Sequence, residues 1–120
     1  MKCDLYFFYP ETQGQATTTV TIASNFFTRL TGFLRYRKVP ENHGILFPGC
    51  NAIHTFGMAF PIDILWLDGT GRVLKLSPSV APWRTRTYRP AAMVLELPEK
   101  HIALRGIKIN QLLEFRTCAK

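Results

Sequence analysis

A small, mainly β domain, a β-sandwich or half-open barrel that becomes α+β by content through one or two short helices, is the fold class predicted by the sequence. Three observations predict it. With 120 residues and 47% hydrophobic content the chain can build one core, so residues 1–120 read as a single domain. Its apolar and β-branched runs are short, and its eight Gly and eight Pro punctuate them instead of gathering into a linker or tail. Finally, Asp68-Gly69-Thr70-Gly71 separates the apolar run of residues 62–67 from the alternating run of residues 72–76, the signature of a hairpin.

Residues 4–9 are rich in aromatic side chains and stop at Pro10, and residues 17–23 form a β-branched run, so both read as strands. A helix follows. Ser24 serves as its N-cap, and Phe26, Phe27, Leu30, Phe33 and Leu34 recur on one helical face, with Gly32 on the other. After the basic exit Arg35-Tyr36-Arg37-Lys38 and a turn over residues 39–44, short strands are expected over residues 45–47, 51–56 and 62–67. The last of these is apolar on both faces and therefore central, and Gly69 and Gly71 supply the positive φ of the turn after it. Pro78, Pro82 and Pro90 exclude residues 77–90 from a central strand and mark the longest irregular, exposed segment. Residues 92–97 read as a strand, residues 98–104 as a helical turn begun by Pro98 and Glu99 and closed by Gly106, and residues 111–116 as the final strand.

Fifteen Lys plus Arg against eight Asp plus Glu give a net charge of +7, which favours an anionic partner: a nucleic-acid strand, an anionic membrane surface or an acidic protein face. Each attraction weakens with salt. The first apolar run, Leu5-Tyr6-Phe7-Phe8-Tyr9, is shorter than a signal-peptide core of roughly seven residues, and nothing approaches the roughly 18 apolar residues of a spanning helix. Cys3, Cys50 and Cys118 are odd in number and lack CxxC spacing, which suits reduced thiols and a cytoplasmic location.

Cys50, His54 and Met58 combine a thiol, an imidazole and a thioether, the ligand types of blue-copper sites. On a straight strand four residues span about 13 Å, far too wide for three ligands to meet at bonds of about 2 Å. Only a tight loop would bring these metal-ligand candidates together, so no metal is assigned. The competing reading places Cys50, Ala52, His54, Phe56 and Met58 on one sheet face, with His54 at a pocket mouth. Asp63 shares its parity with Leu65 and Leu67, and a carboxylate entering a sheet interior needs a partner; Arg29 or Arg35 is the expected counter-ion. Asp68 reads as turn chemistry. Glu96 alternates with Leu95 and Leu97, and a pairing of Glu96 with Asp63 would be required for two-carboxylate glycosidase chemistry.

No nucleophile elbow and no phosphate-binding loop is present, and no catalytic residue is assigned. In Pro82-Trp83-Arg84-Thr85-Arg86-Thr87-Tyr88-Arg89, three arginines alternate with two aromatic rings, a pattern that can pair with anionic groups while the rings stack. Alternatively Trp83 and Tyr88 pin this segment to the core and the arginines are merely solvated. The candidate binding residues are His54, Asp63, Trp83, Arg84, Arg86 and Tyr88.

Several blocks also resemble a known family. Arg29-Leu30-Thr31-Gly32-Phe33-Leu34, Gly44-Ile45-Leu46-Phe47, Phe60-Pro61-Ile62-Asp63-Ile64-Leu65-Trp66-Leu67-Asp68, Gly71-Arg72-Val73, Val94-Leu95-Glu96-Leu97 and Gly106-Ile107-Lys108 are similar, in order and spacing, to blocks of the domain of unknown function 192 family. The family-like region covers about residues 20–116. Many members carry an aromatic and a Met followed by Lys-Asn-Thr before a Pro-Leu-Asp element, whereas residues 50–58 here resemble a second group within the family. The resemblance implies a compact, mainly β fold and a link to envelope or secretion machinery, with no established reaction, substrate or cofactor. The function expected is a non-catalytic binding or interaction module for an anionic or protein partner. The alternatives are a small metal-binding or hydrolytic protein centred on Cys50, His54 and Asp63, and single-stranded nucleic-acid binding.

Overall fold

Short apolar runs separated by turn residues bury their polar backbone most economically by pairing as strands. The computed structural model describes residues 2–9, 14–23 and 43–117, and most of these residues lie in strands. In chain order they are β1 (Lys2–Tyr9), β2 (Gly14–Ile22), β3 (His43–Pro48), β4 (Ala52–His54), β5 (Ile62–Leu67), β6 (Val73–Val80), β7 (Thr85–Thr87), β8 (Met93–Pro98) and β9 (Glu114–Thr117), with one short helix, α1 (His101–Arg105). Seven strands form one sheet in the order β6-β5-β8-β3-β2-β1-β9, and β4 and β7 form a separate two-stranded ribbon. Neighbours in the large sheet are antiparallel except β2 and β3. A parallel pair needs a crossover. The helix expected after Ser24 falls within that connection, outside the described residues, as do Arg29 and Arg35.

The sheet is not closed into a barrel. Its two edges nevertheless meet at one seam, where Arg72 bridges Leu112 and flanking bonds run from Val73 N–H to Gln111 O (2.9 Å), Asn110 N–H to Val73 O (2.7 Å) and Leu113 N–H to Gly71 O (3.0 Å). Gly71 is required there. Its φ is 97°, and an added Cβ would stand 2.7 Å from Leu113 O. Gly69, expected to share the positive φ, has open space around it and is not among the positive-φ glycines. The hairpin turn is fixed instead by Asp68, whose Oδ1 accepts bonds from the Thr70 hydroxyl (2.6 Å), Thr70 N–H (2.8 Å) and Arg72 N–H (3.0 Å). These bonds, the hydroxyl foremost, hold its carboxyl below the usual range.

β5 lies between β6 and β8, the central position expected from its doubly apolar pattern. Leu65 and Leu67 join Leu46, Leu95, Leu97 and Val73 in one cluster, while Ile62, Ile64 and Trp66 join Ile45, Phe47 and Val94 in a second. Period-2 alternation therefore builds two cores, one on each face. β6 runs on to Val80 through Pro78, further than the proline count implied, because β6 is an edge strand and Pro78 lies at a bulge. β8 likewise absorbs Pro98, so the helical turn begins only at His101. Gly106, left-handed at φ 61°, closes it as expected.

The bulge explains Asp63. Between the pairs Ile62↔Val80 and Ile64↔Ser77, Pro78 and Ser79 stand against Asp63 alone. Ser79 is left-handed (φ 50°), and its N–H donates to Asp63 Oδ1 at 2.9 Å. The other oxygen, Oδ2, accepts Ile102 N–H at 2.8 Å, capping α1 from a distant strand where the left-handed Lys100 provides no side-chain cap. Each oxygen of Asp63 thus accepts a backbone donor; Arg29 and Arg35, the counter-ions expected, lie outside the described residues, and among the described residues no cation pairs with Asp63. Asp63→Ala would leave two partly buried donors, Ser79 N–H and Ile102 N–H, without an acceptor and open a gap in the interior where the carboxyl stood. It is expected to cost about 3 kcal/mol or more of unfolding free energy, read from urea denaturation.

Candidate binding surface

The ribbon pairs Ala52 with Thr87, Ile53 with Arg86 and His54 with Thr85. A three-residue ribbon is not stable alone, and here the second core holds it in place. Ile53, Cys50, Phe60 and Tyr88 pack against that cluster, and the Tyr88 ring lies 6.2 Å from the Trp66 ring at 57°. Lys75 Nζ stands 5.3 Å from the Tyr88 centroid, within cation–π range. Tyr88 thus pins the segment.

Trp83 does the opposite. It is 65% exposed and left-handed at φ 63°, an uncommon backbone state for a bulky residue. The device that holds it is Thr55, which is fully buried. Thr55 N–H donates to Arg84 O (2.8 Å), Thr55 O accepts Trp83 N–H (3.0 Å), and Thr55 Oγ1 donates to Ala81 O (2.7 Å) while accepting Arg84 N–H (2.9 Å). Four bonds over-determine the turn, which is the condition under which strained backbone persists.

Phe56, 45% exposed, stacks on Trp83 with centroids 5.9 Å apart at 26°, and the His54 ring lies 5.2 Å from Phe56. His54 Nδ1 accepts Phe56 N–H at 3.3 Å, so Nε2 is the donor atom of the neutral ring. On the Trp83 turn Arg84 Nη1 donates to Pro82 O (3.4 Å) and Trp83 O (3.3 Å), and within β7 Arg86 Nη1 donates to Thr85 O (2.8 Å). Both arginines are exposed, and among the described residues neither is ion-paired.

The array therefore unites His54 with Trp83 through Phe56, with Arg84 next to Trp83 in the chain and Tyr88 as anchor; Arg86, opposite the core-facing Ile53 in the register, leaves the ribbon on the face away from His54, and Asp63 is left out. Asp63 is fully enclosed and has the parity of the first core, whereas the ribbon covers the second. The single sheet face expected for Cys50, Ala52, His54, Phe56 and Met58 is corrected. β4 spans only Ala52–His54, and the turn beyond it sends Met58 into the core and His54 and Phe56 outward. The Cys50 thiol donates to Ala52 O at 2.9 Å. Among the described residues no three His, Cys, Asp or Glu side chains cluster as metal ligands do. Thr55 and Phe56 were not singled out from the sequence: the strand expected over residues 51–56 hides the turn, and nothing local ties Thr55 to Trp83.

Asp63 and Glu96 cannot act as a pair. In the register Asp63 faces Leu97 and Ile64 faces Glu96, so the two carboxyls project from opposite faces. Glu96 is 4% exposed between Ile45 and Ile64, its Oε2 has no hydrogen-bond partner, and burial pushes its carboxyl up to about 8.

Comparison with known proteins gives a consistent family and fold. The model of the domain of unknown function 192 family, described as an uncharacterised ACR, matches residues 9–115. A UPF0127 protein from Thermococcus kodakarensis is 34% identical over 113 residues, covering 88% of this chain and 70% of that protein. Of solved structures, a “putative transcription regulator” from Sinorhizobium meliloti matches with a TM-score of 0.85 at 22% identity, over 96% of this chain and 94% of the other. A protein of unknown function from Novosphingobium aromaticivorans matches at 0.79 and 18%, over 92% and 83%. At such identities the structural likeness shows the fold alone. No helix among the described residues is long and apolar enough to cross a membrane.

Two measurements follow from this geometry. Between about pH 4.5 and about pH 8 the unfolded chain has released the Glu96 proton and the folded chain retains it. The stability from this group is complete below that window and is lost as pH rises through it, by an amount on the order of a few kcal/mol. Glu96→Gln should flatten the fall in urea midpoint across the window; a slope that survives the substitution belongs to other groups. Thr55→Val keeps the shape but removes both hydroxyl bonds. It is expected to cost about 1–3 kcal/mol in the same assay and to alter Trp83 emission in the folded state.

Proposed function

The chain belongs to the domain of unknown function 192 family, for which no reaction is established, and from that premise we propose a non-catalytic binding module whose contact surface is the β4–β7 ribbon. Trp83 carries this reading. Holding a bulky residue at positive φ costs of order 1–3 kcal/mol, and leaving an indole in water forgoes its burial as well. A ring kept for packing alone would be seated as Tyr88 is, against the Trp66 cluster. Trp83 is instead presented outward on a turn held by four hydrogen bonds, next to Phe56 and His54. Large, stiff aromatic side chains with nearby arginine are the residues that anchor interfaces.

The charge of the surface selects the partner. Arg84 adjoins Trp83 and Arg86 stands exposed in β7, on a chain of net charge +7, which favours an anionic partner and disfavours a cationic one. A cytoplasmic setting belongs to the same proposal, supported by the cysteine usage. A metal or hydrolytic centre on Cys50, His54 and Asp63 is disfavoured by their dispersal between ribbon and opposite core face.

The two tryptophans differ sharply, Trp66 being buried with its Nε1–H donated to Ser77 Oγ at 2.9 Å and Trp83 lying in water, so emission from Trp83 reports directly on the surface. Heparin, polyglutamate and an oligonucleotide are titrated separately at low salt. At least one is expected to quench or shift the long-wavelength emission, to lose that effect in Trp83→Phe, and to bind several-fold more weakly when Arg84 and Arg86 are both Ala. If all three leave the emission unchanged, the ribbon is not an anion-binding surface.

A further inference from the structure

We propose that the surface of His54, Phe56, Trp83 and Arg84 binds single-stranded nucleic acid, with unpaired bases stacking on the rings and a phosphate pairing with Arg84. The inference rests on the ribbon being the contact surface and names the occupant of that surface. Three observations select it.

The first is the form of the apolar part. It is not an aliphatic groove but a row of flat rings, His54 on Phe56 and Phe56 on Trp83, at centroid separations of 5.2 and 5.9 Å. Phe56 covers one side of the indole, and the 65% exposure of Trp83 leaves the other side open to solvent. A flat open π-face is matched best by a partner that brings a π-face of its own, and every unpaired base does so whatever its sequence.

The second is the placement of charge. Arg84 follows Trp83 directly, and its Nη1 is held at the Pro82 and Trp83 carbonyls, so the guanidinium stands at the backbone of the turn that presents the indole. Arg86, on the other face of the ribbon, is held by one bond to Thr85 O. A guanidinium has five N–H donors, so each keeps most of its fork for an outside acceptor.

The third is what the other anions leave unused. A duplex hides its base faces in its own stack and offers only phosphates to Arg84, and an acidic chain such as polyglutamate offers carboxylates but no rings. Either would leave Trp83 and Phe56 uncovered. The turn is also held in place before any ligand arrives, because Thr55 fixes Trp83 and Arg84 through four hydrogen bonds. Little affinity is then spent on ordering it.

The test uses the full chain and four probes: a labelled single strand of about 12 nucleotides as oligo-dT or oligo-U, a duplex of the same length, heparin as a base-free polyanion, and polyglutamate. Anisotropy gives affinity, and urea unfolding followed through Trp66 confirms that each variant is folded. The single strand is expected to bind at least about tenfold more tightly than the duplex, and Trp83→Ala to weaken it by about tenfold or more. Replacing Arg84 with Ala should lower the slope of log affinity against log salt by about 0.7. Equal binding of duplex and single strand, or a folded Trp83→Ala protein with unchanged affinity, overturns the inference. If heparin or polyglutamate binds with the same arginine dependence as the single strand and without need of Trp83, the inference also falls, although the anion-binding surface stands. Silence from all four probes removes both.

Discussion

The oxygens of Asp63 accept Ser79 N–H and Ile102 N–H, so the bulge of β6 and the first turn of α1 are tied to the same point of β5. Both branches of the architecture start there. Along one, β6 ends at Val80, and the next carbonyl, Ala81 O, is already taken by Thr55 Oγ1, so the turn that carries Trp83 begins two residues beyond the bulge. Along the other, α1 passes through Gly106 into the segment whose backbone bonds Gly71 and Val73 at the seam between the sheet edges. An acceptor-only side chain suits this post, because its two donors come from separate elements and each oxygen serves one of them.

Glu96 shows the same burial with the opposite outcome. It is one register step from Asp63 on the neighbouring strand, yet it projects to the other face, between two isoleucines, where Oε2 finds no donor. A charged carboxylate there would carry its full desolvation cost, so the proton is retained and the side chain acts as a polar group of about the size of its neighbours. A sheet of this kind tolerates one such site because its remaining alternation is consistent: Ile62, Ile64 and Trp66 fill one face of β5 and Leu65 and Leu67 the other.

Much of this architecture was legible in the chain because it depends on near neighbours. The limits of β5 follow from an apolar run between Pro61 and Asp68, the hairpin from Asp68 to Gly71, and the end of α1 from Gly106. Long-range hydrogen bonding was not legible. Asp63 signals that a partner is required but not that backbone donors 16 and 39 residues away provide it, so a basic side chain was the natural expectation. Thr55 gives even less away: threonine is ordinary in a strand, and its role appears only when the turn of Trp83, some 28 residues later, is laid on it. The proline-rich segment concealed the ribbon in the same way. Pro78, Pro82 and Pro90 rule out a central strand but permit an edge strand, a bulge and a three-residue β7 between them.

The same distinction bears on where the candidate site lies. A two-stranded ribbon of three-residue strands has too few hydrogen bonds to order itself, so its conformation must be imposed by what it is fastened to. Tyr88 and Ile53 fasten it to the second core, and Thr55 fastens the strand end to the turn, so the fold's stability is transmitted to a surface that itself buries little. That arrangement frees Phe56 and Trp83 from packing duty. Strain at Trp83 is borne by the buried hydroxyl and backbone of Thr55, not by the rings, and the rings are left rigid, exposed and adjacent. The large sheet supplies order, and the ribbon spends it on presentation. A binding surface is therefore sought on the smallest β element of the chain and not on its core.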